Sequence, residues 1–292
     1  MRYKGLLTCA IVLFLYTESM AQAFFAVRRD HDLIVSFGTG TSTYLGEFQN
    51  PGDNIDFKPS FNVGAQVFPF PKFLDNRLSA RTELTWFRLQ GSDAKADDDR
   101  VERNLSFFSN NVELNTVGLL HAFRQDKKFY KRLTFNMYGM TGIGVMYMNP
   151  KAKYQGDNIK LKPLETEGVS YSRFQFVIPY GFGIKFRKGV LYNIAIEGGW
   201  RKTFTDYIDD ASGRNYVDPA ILKSDLSRAL ADRRRERDPN YPLPPGKGVR
   251  GDPKQDDSYM LLNVKLEYFL PIDLFTDDGR LMWVKRNRPR RR

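Results

Sequence analysis

A single cysteine, two histidines and no long apolar run set the first limits on this chain of 292 residues. Cys9 lies in a segment where Arg2 and Lys4 precede an apolar run over 6–16 and small-residue cleavage sites near 21–23. Residues 1–21 therefore read as a secretory signal peptide, and the mature chain keeps no thiol. Disulfide frameworks and Cys-ligated metals are excluded. The apolar run is too short for a helical span, which needs about 18 or more residues, and no later run reaches that length. Neither His31 nor His121 has a serine and a carboxylate placed beside it in the pattern, so hydrolase and acyltransferase chemistry finds no base next to a nucleophile. The reading is of a protein that is not an enzyme, with no catalytic residues and no cofactor. Asp206, Asp209 and Asp210 have the oxygen donors for a hard cation, but an Asp-rich turn that satisfies its own backbone amides accounts for them better, so no metal is assigned.

What is present is period-two alternation. Over 173–187, Phe174, Phe176, Ile178, Tyr180, Phe182, Ile184 and Phe186 alternate with residues such as Gln175, Gly183 and Lys185. After a Lys188-Gly189 turn the pattern resumes, with Tyr192, Ile194, Ile196 and Trp200 set against Asn193, Glu197 and Arg201. Soluble strands run about 5–6 residues, whereas a tilted strand crossing a bilayer needs about 9–11. These have membrane length, and their aromatic ends fall where interfacial girdles sit. One face of a soluble β-sandwich is the alternative.

Six further stretches repeat the pattern: 32–46, 57–70, 77–90, 105–123, 133–149 and 258–270. The fold class is thus all-β, an eight-stranded antiparallel transmembrane barrel over 24–270, followed by a basic tail over 271–292. The even count puts both termini in the periplasm. The second, fourth and sixth connections are then periplasmic, and these are the short ones. The others are long and extracellular. In the longest, Asp218 caps a helix starting at Pro219, with an apolar stripe of Ile221, Leu222, Leu226, Ala229 and Leu230. The connection over 92–102 reads as solvated, and 238–254 as irregular. The integral location is the outer membrane.

Eight strands enclose a space just wide enough for side chains. The inward ionisable residues are Arg81, Lys185, Arg201 and Lys265, against Glu83, Glu113, Glu197 and Glu267. Their signs balance, and buried charges need partners. The expectation is a plugged lumen that conducts no ions. The formal net charge of +11 suits anionic lipid headgroups or an acidic protein partner, and an exported chain meets no nucleic acid.

A set of ordered motifs resembles one family. They are Tyr44-Leu45-Gly46-Glu47, Arg103-Asn104-Leu105-Ser106-Phe107, Asn149-Pro150-Lys151-Ala152, Leu161-Lys162-Pro163-Leu164-Glu165-Thr166-Glu167-Gly168 and Ile178-Pro179-Tyr180-Gly181-Phe182-Gly183-Ile184-Lys185. The most specific is Glu197-Gly198-Gly199-Trp200-Arg201-Lys202 continuing through Thr203, Phe204, Thr205, Asp206, Tyr207, Ile208, Asp209, Asp210, Ala211 and Ser212. Together they are similar to PorG-like outer-membrane proteins of the type IX secretion system of Bacteroidetes. Glu47 and Ala211 stand where that pattern has Asp and Val. The resemblance implies a non-enzymatic barrel that associates with outer-membrane lipids and with a periplasmic ring of PorK/GldK-type lipoprotein and PorN/GldN-type protein. It also implies a role in protein export and gliding motility. A stand-alone barrel, porin-like or an anchor, is the alternative, and an outer-membrane enzyme is a further one. Separately, the tail residues Arg280, Trp283, Lys285, Arg286, Arg288, Arg290, Arg291 and Arg292 form a candidate partner-binding segment.

Overall fold

The computed structural model describes residues 33–46, 48, 56–69, 73–93, 100–126, 132–212, 215–241, 244, 247, 248, 250, 251 and 256–270. The segment expected to be a signal peptide, His31 and the candidate partner-binding tail over 271–292 lie outside the described residues.

Among the described residues ten strands are formed: β1 (Leu33–Leu45), β2 (Lys58–Val67), β3 (Leu78–Ser92), β4 (Ser106–His121), β5 (Phe135–Tyr147), β6 (Pro150–Tyr154), β7 (Asp157–Lys160), β8 (Phe174–Arg187), β9 (Tyr192–Thr203) and β10 (Ser258–Leu270). Eight of them follow one another in the order β3-β2-β1-β10-β9-β8-β5-β4, and β3 also pairs with β4. That last pairing closes the sheet. Every one of these neighbouring pairs is antiparallel, and the ends of the chain meet in a register running from Leu33 opposite Leu270 to Leu45 opposite Ser258. The molecule is an all-β, eight-stranded antiparallel barrel.

Alternation decides which way each residue points. Phe37, Phe61, Leu114, Ile143, Phe182 and Val264 are exposed on the outer wall, while Ser36, Asn62, Glu113, Lys185 and Lys265 are buried within. A continuous apolar belt on a closed barrel is not a soluble surface. It faces hydrocarbon, and closure leaves no unpaired edge in the bilayer. The chain is therefore an integral outer-membrane barrel. No helix among the described residues is long and apolar enough to cross a membrane, which has no bearing on strands. The short connection after β8 (188–191) lies at the same rim as those after β2 and β4, and those after β1, β3, β5 and β9 lie at the other. The expected contrast in length holds only in part, because the connection after β4 (122–134) is as long as that after β3 (93–105), and only 148–173 and 204–257 are much longer.

Several local expectations need correction. The connection over 150–172, which falls between the eight alternating stretches and is expected to hold no strand, carries β6 and β7, a hairpin that continues the β4 ladder through Phe108 opposite Lys151. The helix expected from Pro219 is broken. Asp218 caps only a 3₁₀ turn, Pro219–Ile221, by accepting from the Ala220 amide at 2.9 Å. The α-helix proper is Asp225–Ala231, with Ser224 as its cap, and a further turn covers Arg234–Arg237. Serine at 224 supplies a second capping oxygen, so the chain restarts there. Asp93, placed in a solvated loop by its neighbours, is buried and gripped by Arg103 at 2.7 Å through each of two nitrogens.

The interior is layered. At the short-connection end Ile34, Phe68 and Phe269 form a small apolar floor. A charged layer occupies the middle. Above it, Phe87, Leu89, Met146, Val177, Tyr259 and Leu261 from the strands join Leu161, Ile208, Ala211 and Leu230 from the long connections in one apolar core. The loops are thus a folded lid continuous with the barrel.

Candidate functional site

All eight charged residues singled out from the alternation lie inside the barrel, each buried to 3 % exposure or less. Lys265 on β10 bridges Glu83 at 2.6 Å and Glu197 at 2.8 Å. Arg81 reaches Glu197 at 2.6 Å and Glu83 at 3.4 Å, so two cations and two carboxylates close a four-membered ring across β3, β9 and β10. Toward the short-connection end Lys185 meets Glu267 at 3.3 Å, and Asn193 donates to the same carboxylate at 3.0 Å. Toward the lid Arg201 meets Glu113 at 3.5 Å. Each carboxylate is a neighbour of at least one cation, which is the condition for burying charge without neutralising it.

Tyrosines complete these clusters, and they were not singled out in the sequence. Tyr138 donates to Glu197 at 2.9 Å, and Tyr259 donates to Glu113 at 2.7 Å. Both sit at inward positions of their strands, so the same alternation that marked the charges could have marked them. Gly183 makes room for Tyr138: a Cβ there would strike its ring. That is a packing reason for the glycine face inside the barrel.

The motif residues at the end of β9 form the keystone of the lid. Thr203 donates to the Asp257 carbonyl, and the Asp257 amide returns to the Thr205 carbonyl at 3.1 Å. The Tyr44 hydroxyl lies between two carboxylates, 2.6 Å from Asp209 and 2.5 Å from Asp257. Asp257 also accepts from the Ile208 amide at 2.9 Å, and Asp209 from the Ala211 amide at 2.9 Å. Gly46 belongs to the same knot, because a Cβ there would collide with the Tyr44 hydroxyl. Asp206 is buried, Tyr207 stacks on Tyr171 with ring centres 4.9 Å apart, and Phe204 lies exposed beside Phe176 on the outer wall.

Asp210 adopts a left-handed backbone with φ of 68° and accepts from Thr166 at 2.5 Å and Tyr171 at 2.6 Å. Burial pushes its carboxyl up to about 6, against the opposing pull of Arg250, and burial likewise raises the Tyr171 hydroxyl. Arg250 ties the lid together: it pairs with Glu167, donates to the Asp210 carbonyl at 3.0 Å and to the Ala231 carbonyl at 3.2 Å. The carboxylates of Asp209 and Asp210 are spent on protein donors. Among the described residues no group of three or more His, Cys, Asp or Glu is arranged to hold a metal ion.

One pairing departs from the sequence reading. His121, which had no serine near it in the chain, lies with Nε2 2.9 Å from the Ser79 hydroxyl, and Gln66 donates to that hydroxyl at 2.9 Å. Both Ser79 and His121 are 1 % exposed, and His121 Nδ1 has no hydrogen-bond partner. A substrate carbonyl has no approach to a nucleophile buried to that degree, and the pair fills the lumen with hydrogen-bonding groups. A recess of about 1020 Å³ opens beside the pair, lined by the outward Leu120, Met137, Phe182 and Ile184 around Gly139 and, more deeply, by His121 and Tyr138; Ser79 is not among its lining residues.

No protein-family model and no curated protein matches the chain. Among solved structures it is similar to Ail, the attachment invasion locus protein of Yersinia pestis, at 10 % identity over 82 % of this chain and 99 % of that one, with a TM-score of 0.39. It is also similar to Neisserial surface protein A, at 7 % identity over 82 % and 97 % with a TM-score of 0.40. A major outer membrane protein from Thermus thermophilus aligns at 13 % identity over 82 % and 100 %, with a TM-score of 0.41. At such values the likeness assigns no activity, and the barrel rests on this chain's own strand pairing.

Proposed function

We propose that this protein is a closed, non-enzymatic outer-membrane barrel that anchors partner proteins and passes no solute. The observation that carries this reading is the sealed interior: a ring of ion pairs in the middle, under an apolar core shared with the lid. A porin of 16–18 strands leaves an aqueous channel, whereas eight strands leave room only for side chains. With the interior filled by side chains, the outer surfaces of the barrel and lid are what it offers to partners.

The partners proposed are those implied by the ordered motifs, the PorK/GldK-type lipoprotein and PorN/GldN-type protein of a type IX secretion ring, with a role in export and gliding motility. What supports this is the place of the most specific motif, 197–212, at the junction of wall and lid, where Asp209 and Asp210 hold the long connections in one arrangement. The tail over 280–292 is proposed as the periplasmic contact. A stand-alone anchor is the second reading, favoured by the same sealed interior.

Purification of the full chain in mild detergent separates the two. Co-purification of the ring lipoprotein, weakened by removal of 283–292, is the expected result. Purification without any ring protein would leave the stand-alone anchor. Large, steady currents from the purified barrel in planar bilayers would overturn the sealed interior on which both readings depend.

A further inference from the structure

We infer that the outward face of the β6–β7 hairpin is a docking surface for a phosphorylated glycolipid of the outer leaflet. The hairpin lies beyond the apolar belt and continues the wall above β4 and β5. Its inward residues, Ala152 and Ile159, pack on the lid core. Its outward residues are Lys151 and Lys153 on β6 and Asn158 and Lys160 on β7, and Lys162 follows directly in the chain. None of the outward hairpin positions is a carboxylate.

The register makes this arrangement costly unless something neutralises it. Lys151 stands directly opposite Lys160. Like charges at opposed positions, with Cβ atoms about 4.5–5.5 Å apart, destabilise an antiparallel pair. Lys153 and Lys160 are exposed to solvent, and no ion pair of the described residues engages any of the four lysines. Contrast the lid, where Lys223 is paired with Glu165 at 2.6 Å and Arg233 with Glu236 at 2.7 Å. Two flexible ammonium groups on adjacent strands can converge on one phosphate, and Lys153, about 7 Å further along the strand, adds positive charge on the same outward face.

Height decides between a lipid and a soluble anion. Tyr147 and Phe174 close the belt on this side, with ring centres 5.4 Å apart. Such aromatics mark the hydrocarbon boundary. Lys151 is four residues beyond Tyr147, about 13 Å of strand, or roughly 9 Å above that boundary at a tilt near 45°. The headgroup layer occupies about 5–8 Å on each side of the hydrocarbon core, so Lys151 and Lys160 start at its outer edge and their flexible stems let the ammonium groups reach down to headgroup phosphates, with Lys153 further out. A soluble polyanion would have no reason to meet a patch seated on an aromatic girdle.

The test uses the full chain in nanodiscs titrated with bisphosphorylated lipid A or with its enzymatically dephosphorylated form, with bound lipid counted by native mass spectrometry. Each surface lysine near an anionic headgroup is worth roughly a fivefold change in affinity, so replacing Lys151, Lys153 and Lys160 with Gln is expected to weaken binding on the order of 100-fold. Lys160→Glu is the second variant. It places opposite charges across the hairpin, which keeps the fold, and it is expected to weaken lipid binding by more than tenfold, since one cation is lost and one anion gained. Lys188→Gln, at the other end of the barrel, is expected to change nothing. Equal binding of the dephosphorylated lipid, unchanged binding by the triple variant, or heparin binding as tight as that of the glycolipid would each overturn the assignment.

Discussion

Replacing Lys265 with methionine tests whether the barrel interior is dry. Lys265 is fully buried and, with Arg81, is one of the two cations that pair with Glu83 and Glu197 among the described residues, at 2.6 and 2.8 Å. Methionine keeps the aliphatic stem and removes the charge, leaving Arg81 alone between two buried carboxylates. At an effective dielectric near 20 each lost contact is worth several kcal/mol of gross attraction, and the desolvation cost of the carboxylates remains. Removing one partner of a buried ion pair typically costs about 3–5 kcal/mol. The double variant Lys265→Met with Glu83→Gln restores one cation to one carboxylate and is expected to fall within about 1–2 kcal/mol of the parent. Equilibrium unfolding in urea of the barrel folded into phospholipid vesicles, followed by tryptophan fluorescence and by the gel mobility of the folded form, gives both numbers. A single variant within about 1 kcal/mol of the parent would mean that the carboxylates are screened by water, and the sealed lumen would be refuted.

The lid offers two more tests. Gly46→Ala drives a methyl into the Tyr44 hydroxyl and breaks its bridge to Asp209 and Asp257; a loss of about 2 kcal/mol, read as faster proteolysis of the long connections with the barrel still resistant, is expected. Asp210 titrates near 6 when folded and near 3.8 when exposed, because burial disfavours its charge. A raised carboxyl pKa contributes stability fully below the unfolded value and loses it as pH rises through the folded one, so the lid should weaken by about 2–3 kcal/mol between pH 4 and pH 6. Hydrogen exchange in the segments around Thr166 and Asp210 should show that slope, and Asp210→Asn should flatten it; an equal slope in the variant would assign the titration elsewhere.

The barrel was legible because its cause is local. Each side chain of β8 and β9 points in or out by the two-residue period of an extended backbone, so Phe182, Lys185, Glu197 and Arg201 declare their faces without reference to any distant residue. Strand length then selects the solvent, because only a bilayer needs runs of this length. The 203–212 motif was legible as a signature, yet nothing in it reveals what it holds.

Partnership, by contrast, is decided by closure. Arg81 and Glu197 are 116 residues apart, and Tyr44 and Asp257 are 213 apart, so which carboxylate meets which donor depends on the register that brings β1 beside β10 and β3 beside β4. The Ser79 and His121 pair arises in the same way, from neighbouring strands 42 residues distant. The β6–β7 hairpin, with strands of 5 and 4 residues, is too short to stand by its own propensity and exists because the β4 edge and the lid core receive it. Alternation is a property of one backbone segment and can be read from it; pairing is a property of two segments that the chain brings together only once the sheet has closed.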